Sequence, residues 1–275
     1  MTISRREPWL LLLPAVALLA LGFLTPVVGM LVSSVIAPEG GGVTLSNFER
    51  LFGSEYYLGA AERSLRLSLI QTALAVILAT PIAYIMSRAT SWVRTAVLVV
   101  VILPLLTSVV VRTFGWVVLM GPAGALSSLP GIELLGAGSQ GLLGTEAGVV
   151  IAMVQVLLPF AVLTILGVMS SVKQELEEAS RMLGANFWRT LRHVVIPLSL
   201  PGIASGATLV FALSVSSFIT PRLVGGVQLP VLAGTIYVDS TVGLDWPFAA
   251  AQSVLLFAGV ILVIAATLRL GKVDR

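Results

Sequence analysis

The chain has 275 residues, of which 57% are hydrophobic and only 11% are charged, and its formal net charge is +3. A soluble globular domain carries about 25% charged residues, so the composition excludes a water-exposed globular body and indicates an integral membrane protein. The absence of cysteine and the presence of a single histidine, His193, exclude disulfides, thiolate metal sites and a histidine metal cluster. The basic residues lie near the ends of apolar runs, which explains the positive charge without nucleic-acid binding.

Six apolar runs reach the length of about 20 residues that a spanning helix needs. None contains Asp or Glu, only the third contains a charge, Arg112, and the alternation typical of a transmembrane barrel is absent. We therefore predict an all-α integral membrane protein with six transmembrane helices, forming one domain over residues 1–275. The predicted spans cover about residues 9–36, 67–87, 95–120, 148–169, 198–220 and 249–268.

Two smaller signals refine this prediction. Gly202 and Gly206 have the spacing that permits two helices to approach closely. Three prolines inside spans, Pro81, Pro104 and Pro159, predict kinks.

The basic residues predict the orientation. Eleven of them lie at the two termini or in the loops after the second and fourth spans, and five lie on the opposite side. The positive-inside rule therefore predicts that both termini and residues 171–197 are cytoplasmic. The first apolar run has 28 residues, far more than the core of a signal peptide, so we expect a retained helix with Arg5 and Arg6 as anchors.

The polar loop, residues 171–197, contains seven of the 29 charged residues within 27 positions. Residues 173–183 suit a short helix, because acidic residues in its first turns favour the helix dipole. Gly184 can take the left-handed conformation that ends a helix. Residues 186–194 suit a second, amphipathic helix, and Pro197 is tolerated in the first turn of the next span. Apolar residues among these charges predict a docking surface for a soluble partner, formed by Leu183, Phe187 and Trp188.

Within the polar loop, Glu178-Ala179-Ser180, three further residues and Gly184 are followed by nine residues and V-x-I-P at 194–197. This spacing closely resembles the EAA loop of ABC importer permeases. The usual family form is E-A-A-x-x-x-G, nine residues and I-x-L-P, so Ser180, Val194 and Ile196 are mild departures. The resemblance implies that the loop contains a coupling helix that sits in a groove of a cytoplasmic ATPase. The residues that it implies for ATPase coupling are Glu178, Ala179, Ser180, Gly184, Phe187, Ile196 and Pro197.

Three other segments resemble the polyamine-type branch of these permeases. They are ILPLLTSVVVRTFGW (102–116), FITPRLVGG (218–226) and DWPFAAAQS (245–253). The resemblance implies half of an ATP-driven import path for a small organic solute of the spermidine/putrescine type, in a bacterial inner membrane. It also implies three kinds of partner: a second permease subunit, either a different chain or a second copy of this one, two cytoplasmic ATPase subunits and an external solute-binding protein.

No cofactor is expected on this chain, because it lacks the G-x-x-x-x-G-K-[ST] phosphate loop. We expect ATP and Mg on the partner ATPase. An ion-coupled secondary transporter is the alternative, but it usually needs intramembrane carboxylates, which the six spans lack. A membrane enzyme would need a cluster of His, Cys, Asp or Glu residues, which the sequence does not offer.

The candidate substrate path combines aromatic rings with carboxylates, which suit a polyamine through cation–π and ionic contacts. Aromatic belts at the membrane interfaces explain the same rings equally well. Arg112 has two open interpretations: it lines the path or pairs with Glu146, Asp239 or Asp245, or its side chain reaches out to the outer interface. The candidate path residues are Arg112, Phe114, Trp116, Tyr237, Asp239, Asp245 and Trp246.

Overall fold

A computed structural model describes residues 7–37, 42–127 and 130–270 of the chain. The secondary structure in these ranges consists of helices, with no strands, which confirms the predicted all-α class. Several basic residues that carried the orientation argument lie outside the described residues or have side chains outside them, namely Arg5, Arg6, Arg269, Lys272 and Arg275.

The described residues form twelve α-helices in chain order. Their bounds are α1 (Glu7–Ser34), α2 (Ser46–Phe52), α3 (Glu55–Arg88), α4 (Ser91–Ile102), α5 (Val109–Met120), α6 (Glu146–Met169), α7 (Gln174–Met182), α8 (Phe187–Thr190), α9 (Ile196–Ser216), α10 (Ile219–Gly225), α11 (Leu232–Thr241) and α12 (Trp246–Leu270). Five unbroken helices among the described residues are long and apolar enough to cross a membrane.

The third predicted span, 95–120, is not a single helix. It is broken into α4 and α5 by a 3-10 turn at Leu103–Leu106, and the two halves are bent by 97°. Pro104 lies in the turn and cannot donate a backbone hydrogen bond, and Thr107 then takes an extended conformation that ends the helix. The described residues therefore hold five spans, or six where the bent pair is counted as one span, and the break is sharper than the predicted kink.

The fifth predicted span begins earlier than the sequence indicated. A π-helical turn at Leu191–Val195 joins α8 to α9, so that one helix runs from Phe187 to Ser216. Pro197 therefore lies inside a continuous helix, and the helix predicted at 186–194 is its first part. A π turn supplies the wider spacing that relieves the clash between a proline ring and the carbonyl four residues before it.

The described residues pack into two compact units. One lies within Met1–Leu58 and Thr235–Phe257, and the other lies within Gly59–Gly234 and Ala258–Arg275. The second unit has its core along α6, whose fully buried side chains include Met153, Leu157 and Ile165. Helix α9 packs along α6, and α10 packs against both α5 and α6.

Two glycines permit the close packing of α9 on α6. A Cβ atom at Gly202 would lie 2.6 Å from Cβ of Val168, and one at Gly206 would lie 3.2 Å from Cγ1 of Ile165. Helices in lipid associate through such close van der Waals packing, because burial of apolar surface provides no driving force there. The close approach indicated by the glycine spacing is therefore packing within the chain.

We predict that Gly202→Ala destabilises the second unit by about 1–3 kcal/mol, because the new methyl group overlaps the β-branched Val168 on a facing helix. Gly167→Ala on α6 is the matched control, since a Cβ there meets no atom within 4 Å. Thermal unfolding of both variants in detergent measures the difference. Equal melting temperatures for the two variants would contradict the packing argument.

Candidate ATPase-coupling site and substrate path

The first helix of the polar loop ends in a complete capping motif. Gly184 has φ +85°, its N–H donates to the carbonyl of Arg181 at 2.9 Å, and the N–H of Ala185 donates to the carbonyl of Ser180 at 3.1 Å. These two bonds form a Schellman motif, which satisfies carbonyls at the end of α7 and turns the chain. The helix predicted at 173–183 and its stop at Gly184 are thus observed in the structure.

The start of the next helix, α8, is also fixed by a local hydrogen bond. The side chain of Asn186 accepts a hydrogen bond from the N–H of Arg189 at 2.9 Å and caps α8. The hydroxyls of Ser180 and Thr190 are 3.1 Å apart and join α7 to α8 across the turn. The two helices therefore form one unit with a defined angle between them.

An apolar patch projects from this unit. The side chains of Met182, Leu183 and Trp188 are 90%, 89% and 73% exposed. Large apolar side chains clustered among charged residues mark an interaction surface. The docking surface predicted at Leu183, Phe187 and Trp188 is accordingly exposed. Phe187 is the least exposed of the three, at 44%, because its ring packs edge-on against Tyr84 with 5.9 Å between centroids.

The predicted coupling residues do not all share one surface. An open groove of about 810 Å³ runs from α7 to the start of α9, and its lining includes Ala179, Ser180 and Pro197. Glu178 lines a separate cleft of about 230 Å³ beside Arg88. Gly184 and Phe187 shape the turn and the contact to α3, as described above.

Sequence reasoning missed the residue that anchors the polar loop. Glu177 is only 4% exposed, and its carboxylate accepts hydrogen bonds from the Tyr84 hydroxyl at 2.9 Å and from Nε of Arg88 at 2.8 Å. Nη2 of Arg88 lies 2.7 Å from the same carboxylate. Removing one member of a buried ion pair costs about 3–5 kcal/mol, because the other charge is left without a partner. The available signal was Arg88, a cation at the end of the second span on the predicted side of the loop.

Arg112 lies on α5, just after the break in the third span. Its Nη1 donates to the carbonyl of Pro104 at 2.7 Å, whereas Nε is buried without a hydrogen-bond partner among the described residues. Each carboxylate that the sequence offered as its ion-pair partner has another partner: Glu146 pairs with Arg66 at 2.7 Å, Asp245 with Arg50 at 2.6 Å, and Asp239 with the Gln252 amide at 2.6 Å.

The two aromatic candidates on α5 have different surroundings. Phe114 is exposed, whereas Nε1 of Trp116 donates to Oε1 of Gln155 on α6 at 3.3 Å. Phe114 is therefore available to a partner or a solute, and Trp116 is held in the packing of its own unit.

The other candidates belong to the first unit and form a polar network around α12. Asp245 caps that helix by accepting from the N–H of Phe248 at 3.2 Å, and the guanidinium of Arg50 lies 4.0 Å above the Phe248 ring. Asp239 has neutral donors, the Gln252 amide and the Tyr57 hydroxyl. The arrangement can present a carboxylate, Asp239, beside aromatic rings. Tyr237 and Trp246 are exposed on the same unit.

Comparisons with known proteins agree with this architecture. Residues 75–271 match the family described as binding-protein-dependent transport system inner membrane component. The chain is 31% identical to the spermidine/putrescine transport system permease protein PotB of Haemophilus influenzae, over 84% of this chain and 80% of that one. It is 34% identical to the molybdenum transport system permease protein ModB of Azotobacter vinelandii, over 68% of this chain and 80% of that one.

A solved structure has the same fold over nearly the whole chain. It is a bacterial ABC transporter involved in the import of the acidic polysaccharide alginate, with a TM-score of 0.80, 18% identity, and 98% of each chain covered. The helical fold and the family match define an ABC importer permease subunit, a multi-pass protein of the inner membrane. The chain belongs to the family of binding-protein-dependent transport system inner membrane components.

We predict a graded effect of substitutions at Gly184. Gly184→Ala should weaken the Schellman motif by about 1–2 kcal/mol, because an L side chain is strained in the left-handed region. Gly184→Asn should cost less, since asparagine tolerates that region. Hydrogen exchange of the amides of residues 184 and 185 measures the effect. Gly115→Ala, at a helical glycine with free space around it, is the control. Exchange as slow in Gly184→Ala as in the wild type would contradict the prediction.

Proposed function

We propose that this permease subunit forms half of the translocation path for a small polyamine of the spermidine/putrescine type. A second permease subunit, which is a different chain, supplies the other half, and an external binding protein delivers the solute. The similarity to PotB over most of the chain supports the substrate class. A carboxylate with neutral donors, Asp239, supports a cationic solute.

The polar loop is the site where ATP hydrolysis is coupled to transport. Two cytoplasmic ATPase subunits hold ATP and Mg, and one of them receives α7 of this chain in its groove. The single observation that carries the proposal is the apolar patch of Met182, Leu183 and Trp188, which projects from a capped and anchored helix pair. In this arrangement both termini and the polar loop are cytoplasmic, and Glu178, Ala179 and Ser180 contribute to the contact.

A second candidate substrate is an oxyanion. The buried Nε of Arg112, which has no partner among the described residues, favours an anionic ligand, and the molybdenum permease ModB is a relative of similar identity. The two candidates differ in the sign of the solute charge, which makes them easy to separate.

We predict that Glu178→Lys and Gly184→Asp abolish ATP-driven uptake and leave membrane insertion intact. Glu178→Lys reverses a charge, and Gly184→Asp adds a charged side chain, where α7 meets the ATPase. Uptake of radiolabelled spermidine into vesicles that contain the complete transporter measures the effect. The control is Glu133→Lys, which makes the same charge reversal at an exposed residue outside the polar loop. Normal uptake by both variants would exclude this surface as the coupling site.

We predict that Asp239→Asn weakens spermidine uptake by about tenfold, because it removes the charge that attracts the cation and costs about 1.4 kcal/mol of binding. The dependence of uptake rate on spermidine concentration measures the change. Competition by molybdate, added to the wild-type transporter, provides the comparison. Strong molybdate competition together with an unchanged Asp239→Asn variant would favour the oxyanion.

A further inference from the structure

Glu177 stands apart from the other acidic residues of the polar loop. Glu175 and Glu178, its neighbours on α7, are exposed, whereas Glu177 is almost completely buried. Its two carboxylate oxygens receive the Tyr84 hydroxyl and the Arg88 guanidinium. A buried carboxylate is tolerated only when it is paired and hydrogen-bonded, and this one is both.

The same turn of α3 holds the polar loop at three points. Arg88 binds Glu177 in α7 and also donates through Nη2 to the carbonyl of Val172 at 3.0 Å, before α7 begins. Tyr84, four residues earlier, donates to Glu177 and packs against Phe187 in α8. Two side chains on one face of α3 therefore contact the loop before, within and after its first helix.

The opposite end of α3 is also fixed within the second unit. Arg63 donates to the carbonyl of Pro230 at 3.0 Å, and Arg66 pairs with Glu146 at the start of α6 at 2.7 Å. Between Arg63 and Arg88 the helix rises about 38 Å at about 1.5 Å per residue. One continuous helix thus connects the polar loop to the far end of the spanning bundle.

We propose that Glu177 is a positioning residue for energy coupling, which clamps α7 to the end of α3 so that the two move together. A displacement of α7 then moves α3 and, through Arg63 and Arg66, its contacts at the far end. The proposal rests on the proposed docking of the polar loop on an ATPase. It adds a residue outside the EAA-like motif and names the helix that carries the motion.

The chemistry of the contact suits a clamp. A guanidinium that binds a carboxylate through two nitrogens fixes direction as well as distance. Salt screens a buried pair much less than an exposed one. An apolar contact alone would allow α7 to slide along α3, whereas this pair does not.

The first test compares Glu177→Gln with Glu175→Gln, which makes the same change at an exposed neighbour, in the complete transporter. The amount of spermidine imported per ATP hydrolysed should fall about fivefold or more in Glu177→Gln, the scale of a typical coupling energy, while ATPase binding persists. Tyr84→Phe, which removes one hydrogen bond, should give a smaller fall. Unchanged ratios in Glu177→Gln and Tyr84→Phe would overturn the proposal.

The second test measures distance directly. The chain has no cysteine, so Gln174→Cys and Ile85→Cys place two spin labels on α7 and α3 without further substitutions. In the wild-type background the distance should stay narrow and constant with and without a non-hydrolysable ATP analogue, and in Glu177→Gln it should broaden or shift when the nucleotide binds. A wild-type distance that changes with nucleotide would overturn the clamp.

The two tests separate this proposal from the proposed function. If the ATPase does not co-purify with the wild-type chain, the proposed docking of the polar loop on the ATPase is excluded. The clamp alone is excluded if Glu177→Gln retains the ATPase, imports as much spermidine per ATP hydrolysed as the wild type, and keeps a constant distance between the two spin labels. Restored coupling in the double variant Glu177→Arg with Arg88→Glu supports the charge pair over a simple effect on folding.

Discussion

The structure depends on one constraint: hydrocarbon does not solvate charge, so ionised groups must leave the spans or find partners. Charges among the described residues accordingly find partners: Arg66 meets Glu146 and Arg88 meets Glu177. With so few polar contacts in the spans, the helices associate through close packing, as at Gly202 on Val168, and through buried hydrogen bonds such as that between Thr113 and Thr220.

The same constraint makes the polar loop mechanically important. A helix of nine residues is marginal in water by itself, so the direction of α7 must come from its ends and its contacts. The Schellman motif at Gly184 sets the angle to α8, and the Arg88 pair sets the position against α3. Because a buried ion pair contributes little net stability compared with apolar packing, its main effect here is on geometry.

Hydropathy and spacing predicted most of the fold and the outline of the loop, because both follow from local composition. The residues around Pro104 indicated a kink, but the bend also depends on the extended backbone at Thr107. Glu177 could not be distinguished from Glu175 and Glu178 by sequence, because its burial depends on which side of α7 meets α3. For the same reason, spacing could not tell whether Arg112 would meet a carboxylate or a carbonyl.

The position of Arg112 bears on the charge of the solute. Its guanidinium binds the Pro104 carbonyl in the turn that ends the first half of the broken span, where the helix dipole favours a cation. Through this contact Arg112 links α5 to the turn of the broken span without an anionic ligand, and the carbonyl offsets part of the guanidinium charge. The hydrogen-bond donors to Asp239, by contrast, are neutral, so they do not compensate its negative charge. Under the proposed function, this difference supports the cationic candidate over the oxyanion.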